Sequence, residues 1–174
     1  MRKRKYRKPS PPKKDRRCWC GAEFTVTNKD ALNLIEEFDL FCSDKCVIDY
    51  INQTIPIPPT ISKNPAHISY DYAEYDDVTN QFYRSKYEVW FARCLKFHEI
   101  EFKYEPHSFF LNGHNYTPDF YIPEKELYVE CKGLWQKLAK MKVLKLKEVA
   151  NIILLPSYFQ NKLKHYKKWG DVIK

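Results

Sequence analysis

Two acidic residues and a lysine in the middle of the chain are spaced as a hydrolytic site requires. Glu130 and Lys132 are separated by one residue, so a strand here would point both side chains to one face and Cys131 to the other. Asp119 lies upstream and reaches Glu130 if the two segments are neighbouring strands of a hairpin. Two carboxylates that meet at a strand pair form a hard-oxygen site, which suits Mg²⁺ or Mn²⁺.

This set contains the parts that phosphodiester hydrolysis needs. A metal ion held by Asp119 and Glu130 would polarise the phosphate and lower the pKa of a bound water. Lys132 would orient that water, help to deprotonate it and offset the charge that develops on the phosphorane. Glu88, on a predicted helix upstream, would complete the metal shell or hold a second ion. The alternative is that Glu88 belongs to a capping network and that the other charges are solvated.

Four of the six cysteines form two close pairs, C-x-C and C-x3-C, namely Cys18, Cys20, Cys42 and Cys46. Two such pairs can supply a closed tetrahedral Zn²⁺ site with a structural role. The second pair lies where a helix should begin, with Ser43 or Asp44 as its cap, which resembles a treble-clef finger. A module this short needs metal to fold. Disulfides, which are disfavoured inside cells, and unrelated buried thiols are the alternatives.

The segments around the acidic residues follow the pattern of an α/β domain with a mixed central sheet. Asn112-Gly113 is a strong hairpin signal between two of its strands. The periodicity predicts, in order, a helix over 82–98, strands over 100–105, 107–111, 116–122 and 127–131, a helix over 135–149, a buried strand over 151–155 and a short C-terminal helix.

Charge and proline content divide the chain further. Residues 1–17 hold ten Lys/Arg and one acidic residue, and residues 133–174 hold ten Lys and two acidic residues, whereas residues 18–132 are acidic. We expect a disordered basic arm over 1–17, a zinc-finger module over 18–54, a proline-rich and acidic linker over 55–80 and the α/β domain over 81–174.

Basic ends around an acidic centre favour a polyanionic partner such as DNA. The phosphate-binding candidates are Arg2, Lys3, Arg4 and Lys5 in the arm, and Lys137 and Lys140 beside the predicted site. A localisation signal, a solubilising tail or a solvated helix face would explain the same charges. The sequence lacks an apolar stretch long enough to span a membrane and an apolar secretory signal, which predicts an intracellular, cytoplasmic location.

The order of these residues resembles the PD-(D/E)xK nuclease superfamily: Pro118-Asp119, a ten-residue gap, then Glu130-x-Lys132. Over about residues 82–155 the match looks closest to the bacteriophage endonuclease I family of Holliday junction resolvases. It is carried by Arg84-Ser85-x-x-Glu88, Phe102-Lys103-Tyr104-Glu105, Tyr116-Thr117-Pro118-Asp119-Phe120 and Val129-Glu130-Cys131-Lys132-Gly133-Leu134-Trp135. The cysteine module and the proline-rich linker are not part of that pattern.

The resemblance implies a restriction-endonuclease-like core, catalytic roles for Glu88, Asp119, Glu130 and Lys132, and products with 5′-phosphates. It also implies a phage-encoded enzyme that acts on branched DNA as a homodimer. The first alternative is a site-specific homing, restriction-type or nicking endonuclease with the same core. The second is a DNA-binding protein without catalytic activity.

We assign structural rather than catalytic roles to one glutamate, two cysteines and three histidines outside the two predicted sites. Glu105 precedes Pro106 at a strand end, where a surface charge is favoured over a metal ligand. We interpret Cys94 and Cys131 as core residues. We interpret His98, His107 and His114 as packing or surface residues, because none has a cysteine or histidine partner at ligand spacing.

Overall fold

The computed structural model describes residues 13–27, 36–66, 73–133 and 136–168, which form a mixed α/β structure. The strands are β1 (Lys13–Arg17), β2 (Glu23–Thr27), β3 (Asn64–Pro65), β4 (Glu74–Asp76), β5 (Gln81–Tyr83), β6 (Lys103–Tyr104), β7 (His107–Leu111), β8 (His114–Tyr116), β9 (Phe120–Ile122), β10 (Leu127–Lys132) and β11 (Asn151–Pro156). The α-helices are α1 (Asp44–Gln53), α2 (Lys86–Phe97) and α3 (Lys137–Val149), and short 3-10 helices cover Pro123–Lys125, Ser157–Lys162 and Lys164–Lys168. In this part of the chain no helix is both long enough and apolar enough to cross a lipid bilayer.

A four-stranded sheet in the order β11–β10–β9–β6 lies at the centre. β10 runs parallel to β11 and antiparallel to β9, and β9 runs antiparallel to β6. The sheet is therefore mixed, as predicted. The predicted strands over 127–131 and 151–155 are confirmed, and each is one residue longer.

Alternate residues of the central strands face two different layers. Val129 and Leu155 pack with α1 and α2, whereas Tyr128 and Leu154 pack with α3 and the β7–β8 hairpin. Because both faces are covered, β10 reads as an apolar run broken only by the residues of the candidate site. Glu130 and Lys132 alternate with Val129, so they belong to the α3 side.

Several predicted elements have different bounds, and the strand expected over 100–105 is limited to the two residues of β6. The expected strand over 116–122 is interrupted between β8 and β9, because Pro118 has no N–H to donate to a ladder. The expected helix over 82–98 begins at Lys86, since Ser85 is its N-cap and the residues just before it pair as β5 with β4. The short C-terminal helix consists of two 3-10 helices.

The predicted hairpin turn at Asn112-Gly113 is confirmed. β7 and β8 pair antiparallel, with Leu111 opposite His114. Both turn residues have positive φ, +47° for Asn112 and +80° for Gly113, as a two-residue type I′ turn requires.

Part of the segment expected to be a disordered basic arm forms a strand. Residues 13–17, placed in a disordered segment by their charge, form β1 and pair antiparallel with β2. The Lys and Arg side chains of β1 stay largely exposed while its backbone pairs, so composition did not reveal the strand. The side chain of Val26 in β2 is buried and anchors the hairpin to the core.

In the segment expected to be a linker over 55–80, the described residues 55–66 and 73–80 contain strands and contacts that pack onto the domain. β3 pairs with β7, and β4 pairs with β5. The backbone N–H of Thr60 donates to the carbonyl of Val149 at 2.7 Å, at the C-terminus of α3. Pro65 fits because edge strands tolerate a residue without an N–H.

The cysteine segment shares its core with the central sheet. Phe41 is fully buried, and its N–H and carbonyl both bond the hydroxyl of Tyr158 at 3.0 Å. Tyr158 lies just after β11, in the same apolar cluster as Val47 and Ile51 of α1. The cysteine segment therefore packs in the same apolar cluster as α2.

Candidate active site and cysteine centre

β10 holds Glu130 and Lys132 side by side. The ammonium of Lys132 donates to Glu130 Oε1 at 2.9 Å, while Cys131 points into the core on the opposite face. Glu130 is 2% exposed, and burial raises its pKa, although the positive charge of Lys132 acts to lower it. The strand alternation expected from the sequence is therefore present.

Asp119 lies beside this pair, in the loop that enters β9. Phe120 is opposite Val129 in the antiparallel register, which puts Asp119 level with Glu130. Its Oδ2 accepts the N–H of Cys131 at 2.7 Å. Burial, together with the charges of Glu130 and Glu88, raises the pKa of Asp119 well above its usual range. Asp119 therefore lies next to Glu130 as predicted, although it lies in a loop rather than on a strand.

Glu88 projects from the first turn of α2 and is 7% exposed. Its Oε1 accepts the hydroxyl of Ser85 at 2.6 Å, and its Oε2 accepts the hydroxyl of Tyr104 at 2.6 Å and the N–H of Arg84 at 3.0 Å. Ser85 also caps the helix by accepting the N–H of Glu88 at 3.3 Å. These bonds hold the carboxylate in one orientation and compensate its burial.

Glu105 is a member of the site that the sequence interpretation missed. It is 3% exposed rather than a surface charge, and its N–H donates to the carbonyl of Asp119 at 2.8 Å. Burial raises the pKa of Glu105 to about 7, with Glu88 and Glu130 adding to the rise and Arg84 opposing it. The local sequence around Glu105 does not indicate a site residue, because only the pairing of β6 with β9 brings Glu105 next to Asp119.

The site has an excess of negative charge. Four carboxylates face two cations, Lys132 and Arg84, whose guanidinium lies 3.1 Å from Glu105 and is 46% exposed. Glu130 Oε2 is buried and accepts no hydrogen bond of ordinary geometry from the described residues, although the Tyr116 hydroxyl lies near this carboxylate. A divalent cation would satisfy this oxygen and offset the repulsion, so the donor set suits a hard ion.

The spacing of these carboxylates differs from that of a compact metal cage. In the described residues, two groups of three or more potential ligands have all their ligand atoms within 4.8 Å of one another. They are Cys18, Cys20, Cys42 and Cys46, and Asp44, Cys94 and His98. The carboxylates around Glu130 form neither group, so magnesium binding there stays a prediction.

The four cysteines of the two close pairs converge, as predicted, and could hold a metal ion. Sγ of Cys42 lies 3.9 Å from that of Cys20 and 3.4 Å from that of Cys46. These separations match the edges of a tetrahedron with metal–sulfur bonds of about 2.3 Å, and they are far too long for disulfides. Ser43 caps α1 by accepting the N–H of Cys46 at 3.2 Å, which confirms one of the two expected caps.

The predicted phosphate contacts divide into two sets. Lys137 and Lys140 lie in the first turn of α3 and are exposed, a short distance along the chain from Lys132. The arm candidates Arg2, Lys3, Arg4 and Lys5 lie outside the described residues.

The roles of these residues rest on their chemistry and arrangement alone. No protein-family model, curated protein or solved structure matches the chain. The likeness to nuclease families therefore remains a matter of the residues quoted above.

Proposed function

We propose that this protein is a metal-dependent DNA endonuclease with a restriction-endonuclease-like core. The observation that carries the proposal is the convergence of Glu88, Glu105, Asp119, Glu130 and Lys132. They come from α2, from the end of β6, from the start of β9 and from β10; the carboxyl groups of Glu88, Glu105 and Glu130 are buried, and Asp119 is half-buried. A protein that only binds DNA has no need of buried carboxylates that repel both one another and a phosphate.

Asp119 and Glu130, with Glu88 or Glu105, are the residues that would hold Mg²⁺ or Mn²⁺. Such an ion supplies a bound water of lowered pKa and polarises the scissile phosphate. Glu88 is held by three hydrogen bonds, so its charge stays in place as the substrate enters. Binding of the ion would also lower the repulsion that raises the pKa of Asp119.

In this proposal Lys132 would act on the attacking water and on the phosphate. Its ammonium bonds Glu130 at 2.9 Å, which anchors it within the site. There it would offset the charge of the pentacovalent transition state. Arg84 and Lys137 are exposed and would bind the neighbouring phosphates.

We further propose branched DNA as the substrate and a homodimer as the active form, both of which rest on the resemblance to junction resolvases. We propose structural Zn²⁺ for the four cysteines, since four thiolates leave no open coordination position. A site-specific homing or nicking endonuclease is the second candidate. The observation that favours it is the packing of the cysteine segment onto the nuclease core, which would give an extra DNA-reading module a rigid support.

The test is cleavage of one immobile four-way junction and its matched linear duplex, with Mg²⁺ and with EDTA. We expect metal-dependent cutting of the junction, lost in Lys132→Ala and in Glu130→Gln. Glu124→Gln is the matched control, because its side chain is 81% exposed in the turn at the far end of β10. Cutting of one long natural duplex at a single site would favour the homing enzyme. DNA binding without any cleavage, even in Mn²⁺, would refute the endonuclease.

A further inference from the structure

A second cluster of metal-ligating side chains lies where the cysteine segment meets α2. It consists of Asp44 at the start of α1, and Cys94 and His98 near the end of α2, with all three ligand atoms within 4.8 Å of one another. Cys94 and His98 are four residues apart and therefore share one face of α2, so the interpretation of His98 as lacking a cysteine partner at ligand spacing is wrong. Asp44 approaches that face from the other helix, so the cluster depends on how the two helices pack.

The hydroxyl of Tyr166, from the last 3-10 helix, lies among these three groups. It donates to Asp44 Oδ2 at 2.9 Å and lies 3.1 Å from His98 Nε2. His165 Nε2 is also 3.0 Å from Asp44 Oδ2. Cys94 is fully buried, and Tyr166 is 3% exposed, so the cluster is closed on its inner side and open to solvent near His165.

We propose that Asp44, Cys94 and His98 form a second transition-metal site, of the kind that takes Zn²⁺. Thiolate sulfur and imidazole nitrogen select Zn²⁺ over Mg²⁺, and a carboxylate oxygen is a further ligand that Zn²⁺ accepts. The phenol oxygen of Tyr166 is placed as the fourth ligand. On binding, the Cys94 thiol and the Tyr166 phenol would each release a proton to solvent, and the hydrogen bonds of Tyr166 to Asp44 and His98 would be replaced by bonds to the ion.

An ion here would join three parts of the chain that are far apart in sequence. Asp44 stands between the candidate ligands Cys42 and Cys46, so α1 would be tied both to the cysteine turn and to α2. α2 carries Glu88 in its first turn, and the last 3-10 helix supplies Tyr166. The site would therefore fix the cysteine segment against the core. This proposal does not rest on the nuclease assignment, since it predicts metal content rather than activity.

The experiment is a count of bound zinc in the full-length protein. The protein is loaded with Zn²⁺, freed of excess ion by gel filtration and analysed for zinc and protein. We expect two zinc atoms per chain in the wild type, and one in Cys94→Ala and in His98→Gln. The control His114→Gln changes an exposed histidine on β8 and should keep both.

Substitution with Co²⁺ gives a spectroscopic readout in addition to the zinc count. Five thiolates should contribute to the sulfur-to-cobalt absorption of the wild type and four to that of Cys94→Ala. If Cys94→Ala fails to fold, His98→Gln removes a ligand without a core cavity and carries the test alone. One zinc atom per chain in the wild type, or two in His98→Gln, would overturn the proposal. Tyr166 would then serve only to hydrogen-bond Asp44 and His98.

Discussion

Replacing Glu105 with glutamine should stabilise the metal-free protein at alkaline pH. Glu105 is 3% exposed, and burial raises its pKa from 4.5 to about 7, with the charges of Glu88 and Glu130 adding to the rise. One pKa unit corresponds to about 1.4 kcal/mol, so ionised Glu105 costs the folded state about 3 kcal/mol above pH 7. The guanidinium of Arg84, 3.1 Å away, already opposes the rise, so that cost is net of the ion pair.

The direction of the pH dependence follows from proton binding. Because the pKa of Glu105 is higher in the folded than in the unfolded state, the folded state binds more protons between pH 4.5 and about 7. The contribution of this group to stability is therefore full below pH 4.5 and is lost as the pH rises through about 7. Glutamine carries no titrating proton, so Glu105→Gln should exceed the wild type by about 2–3 kcal/mol at pH 8 and by less than about 1 kcal/mol at pH 5.

Urea unfolding in EDTA at the two pH values measures this difference. Glu124→Gln, at a side chain that is 81% exposed, is the control and should match the wild type at both. Added Mg²⁺ should stabilise the wild type more than Glu105→Gln if Glu105 is a ligand, and junction cleavage by the variant should fall. A variant no more stable than the wild type at pH 8 would refute the reasoning, because it would mean that Glu105 is not held as a costly buried charge.

Three further outcomes are expected. Asp119→Asn and Glu130→Gln should lower the cleavage rate by at least about 10³-fold in a gel assay. Both variants should keep or tighten DNA binding in fluorescence anisotropy, because repulsion of phosphate is relieved. Cutting near the wild-type rate by either variant would exclude that residue from the site. Deleting residues 2–12, which hold six Lys/Arg, should weaken binding and reduce the slope of log K against log salt, and an unchanged slope would exclude a phosphate-binding arm. Tyr158→Phe leaves the buried N–H and carbonyl of Phe41 without their partner. We expect the free energy of unfolding in urea to fall by about 1–3 kcal/mol and any zinc bound by the cysteines to be easier to extract with a chelator. No loss of stability would show that water replaces the hydroxyl.

Several features of this protein follow from local sequence. The one-residue spacing of Glu130 and Lys132 put both on one face of β10, because side chains of a strand alternate whatever surrounds it. Asn112-Gly113 determined a hairpin turn, because both residues tolerate positive φ. Each close cysteine pair predicted two neighbouring thiols, because the pair is short enough to turn on itself, whereas the meeting of the two pairs depends on tertiary contacts.

Other features depend on contacts between distant segments. Glu105 is buried because β6 pairs with β9, and its raised pKa needs charges from Glu88 and Glu130, which are far away in the chain. β1 forms because its backbone pairs with β2, although its charged side chains are typical of a solvent-exposed tail. Asp44 and His98 meet because α1 packs on α2. Local periodicity sets the face on which a side chain points, whereas burial and electrostatic neighbours arise from strand pairing and helix packing, and only the tertiary structure decides those.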